Sequence, residues 1–182
     1  MLIDTDPAAV IAFWRAAGPK KWFAADPGFD GQIRDRFAKA HHAASCGKLF
    51  AWEDDAVGAL ALLLLTDQFP RNIYRGSAHA FATDALAREV ADRALAKGFD
   101  QVTETSLRAF FYLPFEHHEE MASQDRAVAL FTRLGDADSL KWAILHRDLI
   151  VRFGRFPHRN AVMGRAPTPE ETAYLADGGF AG

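Results

Sequence analysis

Apolar residues recur every three or four positions in segment after segment of this chain, and most of these runs are framed by residues that start or stop helices. That spacing places them on one face of a helix with 3.6 residues per turn. Asp6-Pro7 opens the first segment, Val10, Ile11, Phe13 and Trp14 form its apolar face, and Gly18-Pro19 closes it. From Asp26 or Asp30 a second segment carries Phe29, Ile33, Phe37, Ala40 and Ala44 and stops near Gly47. A third, opened by Asp54-Asp55, is apolar nearly all round through Leu65, the pattern of a central buried helix. Its expected end is Phe69-Pro70, because the residue before a proline is pushed out of helical geometry.

Ser77 is expected to cap a fourth helix, with Phe81, Leu86, Val90 and Leu95 inward. Thr103 starts a fifth, broken or kinked at Pro114, and Ser123 caps a sixth that Gly135 closes. The seventh spans about Asp138 to Phe153, with Trp142, Leu145, His146, Leu149 and Phe153 as its buried face. Thr168-Pro169-Glu170-Glu171 is a capping-box pattern that opens a short last helix. The expectation is an all-α fold of about eight helices, with residues 1–182 forming a single helical domain. No fixed repeat period is present, so an irregular stack of helical hairpins fits better than a regular array.

Several function classes fall away on composition. A net charge of -3 argues against general nucleic-acid binding, which usually shows as a basic surplus, and leaves only a local basic patch at DLIVRFGRFPHRN open. The longest apolar run, Ala56 to Leu65, is about half the length a membrane span needs. The opening MLIDTDPAAV carries acids where a secretory signal would be basic, and these features together predict a cytoplasmic protein. Cys46 is the only cysteine, so no disulfide within the chain and no cysteine-rich zinc site can form. It reads as a small buried residue. Nucleophile-elbow, dinucleotide and phosphate-loop motifs are all missing, and no motif names a cofactor.

Polar residues gather instead at three helix breaks. The first is DQFPRN, residues 67–72; the last, DLIVRFGRFPHRN at residues 148–160, repeats its Phe-Pro and Arg-Asn. If these ends converge, Arg71, Arg155 and Arg159 could hold a carboxylate or phosphate, since a guanidinium binds both two-pronged. Asn72 and Asn160 would sit beside them, and Asp67 or His158 could orient a group or move a proton. The alternative is that arginines satisfy the last carbonyls of each helix and nothing more. Between them lies Glu116-His117-His118-Glu119-Glu120, from which His117 and Glu119 are candidates. Neighbouring histidines diverge on a helix, so no metal is assigned. His146 lies on an apolar helix face two turns before the basic end, and Trp22 could line the site. His41, His42 and His79 lie on outward-reading faces and take no role.

At LLLLTDQFPRNIYRG, RAFFYLPFEHHEE and HRDLIVRFGRFPHRN the chain resembles the bacterial proteins grouped as domain of unknown function 924. AFWRA, KKWFAADPGFD and APTPEE extend the resemblance over almost the whole chain. It implies tetratricopeptide-like helical hairpins wound into a compact superhelix, and it brings no activity with it. Two positions depart from the family pattern: His118, where serine is usual, and Glu116, often methionine. The functional expectation is a site for a small anionic metabolite, binding or catalytic, formed where the three breaks meet. The alternative is a scaffold that binds a peptide or partner protein, in which Tyr74, Tyr112 and Phe115 would be exposed in a groove.

Overall fold

The computed structural model describes residues 5–182, and every regular element among them is helical. Helix α1 (Pro7–Ala17) is capped by Asp6, whose carboxylate accepts from the Ala9 N–H at 2.8 Å, and a short α2 (Pro19–Trp22) follows Gly18. Asp26 caps α3 (Pro27–Ser45), and Asp55 caps α4 (Ala56–Leu63). Beyond these come α5 (Phe69–Ile73), α6 (Asp84–Ala96), and the short α7 (Phe99–Val102), α8 (Thr105–Arg108) and α9 (Leu113–Glu116). The chain closes with α10 (Met121–Leu134), α11 (Ala137–Phe153) and α12 (Pro169–Ala176). The all-α class is as expected, but the elements are more numerous than eight: the third and fifth expected helices each correspond to more than one piece, and the short α2 and α7 are additional.

The described residues fall into two compact units, one of residues 5–75 with His79–Pro114, the other of Gly76–Ala78 with Phe115–Gly182. In the first unit α4 is buried from Gly58 to Leu63, as its all-round apolar sequence requires. Gly58 is what lets it sit there: a Cβ at that position would lie 2.0 Å from the Trp52 carbonyl oxygen. Trp14, Phe29, Phe37, Phe69 and Phe110 pack on one another in stacked, tilted and edge-on aromatic pairs with centroids 5.1–5.9 Å apart.

The expected stop at Phe69-Pro70 does not occur. The backbone instead widens into a π turn, Leu64–Gln68, and runs on as α5 with Pro70 in its first turn. A proline lacks an N–H and its ring crowds the carbonyl four residues back; the wider turn relieves the crowding without breaking the helix, and the missing N–H is met from outside it. Three caps also differ. Thr83 rather than Ser77 precedes α6, Glu120 rather than Ser123 precedes α10, and Asp136 caps α11 through the Ser139 N–H.

In the second unit α10 and α11 form an antiparallel pair turned at Gly135, whose φ of 77° favours glycine. The buried face of α11 is Ala143, His146, Leu149 and Ile150, and Trp142 is 48% exposed. Ala143 and Ile150 were not expected on that face, and Leu145 and Phe153, which were, are only partly buried. Leu149, Ile150 and Phe156 make a local core, flanked by Met121, Leu145, Phe153, Tyr174 and Phe180. Around α12 the capping box forms as read: Thr168 Oγ1 accepts from the Glu171 N–H, and Glu171 accepts from the Thr168 N–H at 2.7 Å.

Candidate functional site

Of the residues singled out by sequence, Asp67, Arg71, Asn72 and Trp22 lie in the first unit. His117, Glu119, His146, Arg155, His158, Arg159 and Asn160 lie in the second.

At the first break, Arg71 makes the two-pronged contact that was expected of a ligand carboxylate, but its partner is Asp84. Nη1 and Nη2 donate to the two oxygens of Asp84 at 3.0 and 3.1 Å, and Asp67 Oδ1 lies 3.3 Å from Nη1. Burial opposes the charge on Arg71, and the two carboxylates more than offset it. Asn72 donates to Asp30 Oδ1 at 2.7 Å, and Asp30 also accepts from Arg75. Trp22 packs against Trp14 and donates its indole N–H to the Trp14 carbonyl at 2.7 Å, so it belongs to the aromatic core rather than to a pocket wall. The pairings of Asp84 and Asp30, 13 and 42 positions from their partners, carried no signal in the sequence.

The second and third breaks do come together. Phe156 anchors the meeting point, since it is fully buried and the groups converge on its backbone and ring. Its N–H donates to Glu119 Oε1 at 2.8 Å, and its carbonyl accepts from Arg165, which also grips both oxygens of Glu119. Arg159 stacks over the Phe156 ring at 4.5 Å and donates to the His117 carbonyl at 2.9 Å. The His146 ring lies 5.3 Å from Phe156, 6.4 Å from His117 and 5.0 Å from Phe180. His158 stacks beside Phe156 at 5.7 Å and meets Phe180 edge-on at 5.2 Å. Two imidazoles and one guanidinium thus pack against Phe156, and both imidazoles also meet Phe180.

Arg155 stands apart from this group. It donates to both oxygens of Glu171, and Asn160 Nδ2 adds a third bond to that carboxylate at 3.1 Å. The hydrogen bond from Arg155 leads the effects that hold Glu171 down to about 2. Glu171 was read only as the third residue of a capping box; that it is 1% exposed and collects four donors was not legible from its spacing.

Electrostatics separate the histidines from the acids. Burial pushes His146 down to about 3 and His158 down to about 4, and the nearby Arg159 charge adds to both. For Glu119, burial acts upward, but Arg165, the Phe156 N–H and the charge of Arg159 outweigh it and hold the carboxylate below its usual range. The Nδ1 atom of His146 is 2.9 Å from the Trp142 carbonyl and 3.1 Å from Glu116 Oε1, so the neutral ring carries its proton there. Among the described residues no cluster of three or more histidines, cysteines or acids is arranged to hold a metal ion.

Residues 10–179 match the model of a family described as bacterial protein of unknown function, DUF924. The chain belongs to this family. It is also similar to a solved protein of unknown function from Agrobacterium tumefaciens, at 50% identity and a TM-score of 0.92, over 94% of this chain and 97% of that one. No curated protein matches. No helix among the described residues is long and apolar enough to cross a membrane.

Proposed function

We propose that this family member is a small-molecule protein that holds an anionic ligand at the junction of the second and third helix breaks. Arg159 and His158 would be the contacting groups, and His117 and His146 the groups that orient the ligand or exchange protons with it. The observation that carries this reading is that His146 and His158, beside Phe156, are kept uncharged first by burial and then by the neighbouring Arg159 charge, with Glu119 opposing the effect at His158. An anion placed there relieves that repulsion and invites the proton back. Buried polar atoms with no hydrogen bond at the same place, His158 Nδ1 and Arg165 Nε, give a ligand something to satisfy. Asp67, Arg71, Asn72, Arg155 and Trp22 are then positioning residues, whose partners are the protein's own groups.

A peptide-binding scaffold fits less well. Two of the three aromatics it would expose, Tyr112 and Phe115, are each 2% exposed.

The test is a thermal-shift screen of the full chain against inorganic phosphate, phosphorylated metabolites and carboxylates at pH 6 and pH 7.5. A ligand at about a hundred times its dissociation constant stabilises the native state by roughly 2.7 kcal/mol. The shift should be larger at pH 6 and disappear in His158→Gln and Arg159→Lys. A screen in which no anion raises the melting temperature, or in which both variants respond like the wild type, overturns the proposal.

A further inference from the structure

The DQFPRN break has a second consequence, on the other side of the π turn. In that turn the Leu64 carbonyl accepts from the Phe69 N–H, five residues on. The next carbonyl, Leu65, would take its bond from residue 70, a proline with no N–H to give. In α-helical register the same proline would deprive Thr66. Pro70 therefore strands two consecutive buried carbonyls, and buried carbonyls need partners. Both are supplied from outside the helix. His41 Nδ1 lies 2.8 Å from the Leu65 oxygen, and the Thr83 hydroxyl donates to the Thr66 oxygen at 2.6 Å.

Binding a carbonyl fixes the tautomer of His41. The proton sits on Nδ1, so Nε2 presents a lone pair. Burial also pushes the His41 pKa down, which keeps the ring neutral near pH 7. Nε2 makes no hydrogen bond among the described residues, and neither does the Tyr74 hydroxyl. Both residues line a cleft of about 310 Å³, together with His42, His79, Thr83 and Leu86. That volume is at the small end of ligand pockets. Tyr74 lies between the other two rings, its centroid 5.6 Å from His41 and 5.7 Å from His79, giving the cleft flat aromatic walls. No carboxylate, lysine or arginine lines it.

We propose that this cleft is a binding site for a small uncharged aromatic alcohol, whose hydroxyl donates to His41 Nε2 while its ring packs against Tyr74 and His79. Flat walls select a ring, the fixed lone pair selects a donor, and the absence of lining charges selects a neutral molecule. The site is distinct from the anion site proposed above and survives its failure.

Phenol is the probe, with anisole as its control: nearly the same shape, with no hydroxyl proton. Titrated into the isotope-labelled full chain, phenol should shift the ring resonances of His41 and Tyr74 saturably. Anisole should bind roughly tenfold more weakly, the loss of about one buried hydrogen bond. Equal binding of the two refutes the role of His41 Nε2, and binding of neither refutes the site. Ala82→Trp blocks the cleft from an exposed lining position and should abolish the phenol shifts with melting unchanged. Shifts that persist in that folded variant refute the location. Should it fail to fold, Tyr74→Phe replaces it; phenol binding must survive there, because the wall remains, and its loss refutes the packing assigned to the ring.

Discussion

Lowering the pH from 8 to 5 should destabilise this protein well before its carboxylates protonate, and the size of the effect follows from two histidines. In the unfolded chain a histidine takes up its proton near 6.5. In the folded protein His146 does so at about 3 and His158 at about 4. Both folded values are depressed, so the stability they contribute is present above pH 6.5. It is lost as pH falls toward the folded values, because the unfolded state binds the extra protons. At pH 5 each site costs about 2 kcal/mol by this linkage, roughly 4 kcal/mol together. The half-buried His158 contributes the smaller share, since solvent screens it. For a chain of this length the sum corresponds to a drop of roughly 8–16 °C in melting temperature. Glu171, held at about 2, acts in a separate window below pH 4.5, so the two effects can be told apart. Urea unfolding at half-unit steps from pH 8 to 5 measures the slope, and His146→Gln should remove about half of it. A flat profile would refute the reasoning. So would a His146 that titrates at or above 6.5, which would mean that Glu116, 3.1 Å away, keeps the ring protonated as an ion pair.

Three further outcomes follow from the packing. Glu171→Gln leaves Arg155 with half of its fork and removes a nearly inaccessible charge, so unfolding should become easier by about 3 kcal/mol, and limited proteolysis should reach α12 first. Asp84→Ala strips Arg71 of its two-pronged partner and should cost about 2 kcal/mol in a urea midpoint series, with Asp84→Asn recovering part of it. Gly58→Ala, which in an open helix would stabilise by about 1 kcal/mol, should here lower the melting temperature, since the new methyl meets the Trp52 carbonyl.

The helices were legible because their signals are local. Asp6-Pro7, Asp55 and the Thr168 capping box each act within four residues of themselves, and each sits where it was read. Pro70 was misread for a related reason: proline's rule assumes α geometry, and a single π turn changes what the missing N–H costs. His41 looked outward by helical phase, yet it is 6% exposed, because the stranded Leu65 carbonyl draws it in. Cys46, read as buried, is exposed, with His42 Nε2 3.8 Å from its sulfur. The polar breaks were found from their composition, and within the second unit residues 116–119 lie against residues 156–159. What composition hid was the distribution of partners. Glu119 pairs with Arg165, 46 positions away, and Arg155 with Glu171, so two-pronged arginine geometry is satisfied within the chain. Only tertiary contacts decide which cations a ligand could use.

The central claim is that His146 and His158, beside Phe156, are kept uncharged by burial and by the Arg159 charge and are poised for an anion. Ring nitrogen shifts of His158, followed by NMR through a pH titration with and without inorganic phosphate, test it most directly. The account predicts a midpoint near 4 without phosphate, moved upward when phosphate is saturating. A midpoint near 6.5 that phosphate leaves unchanged would contradict it.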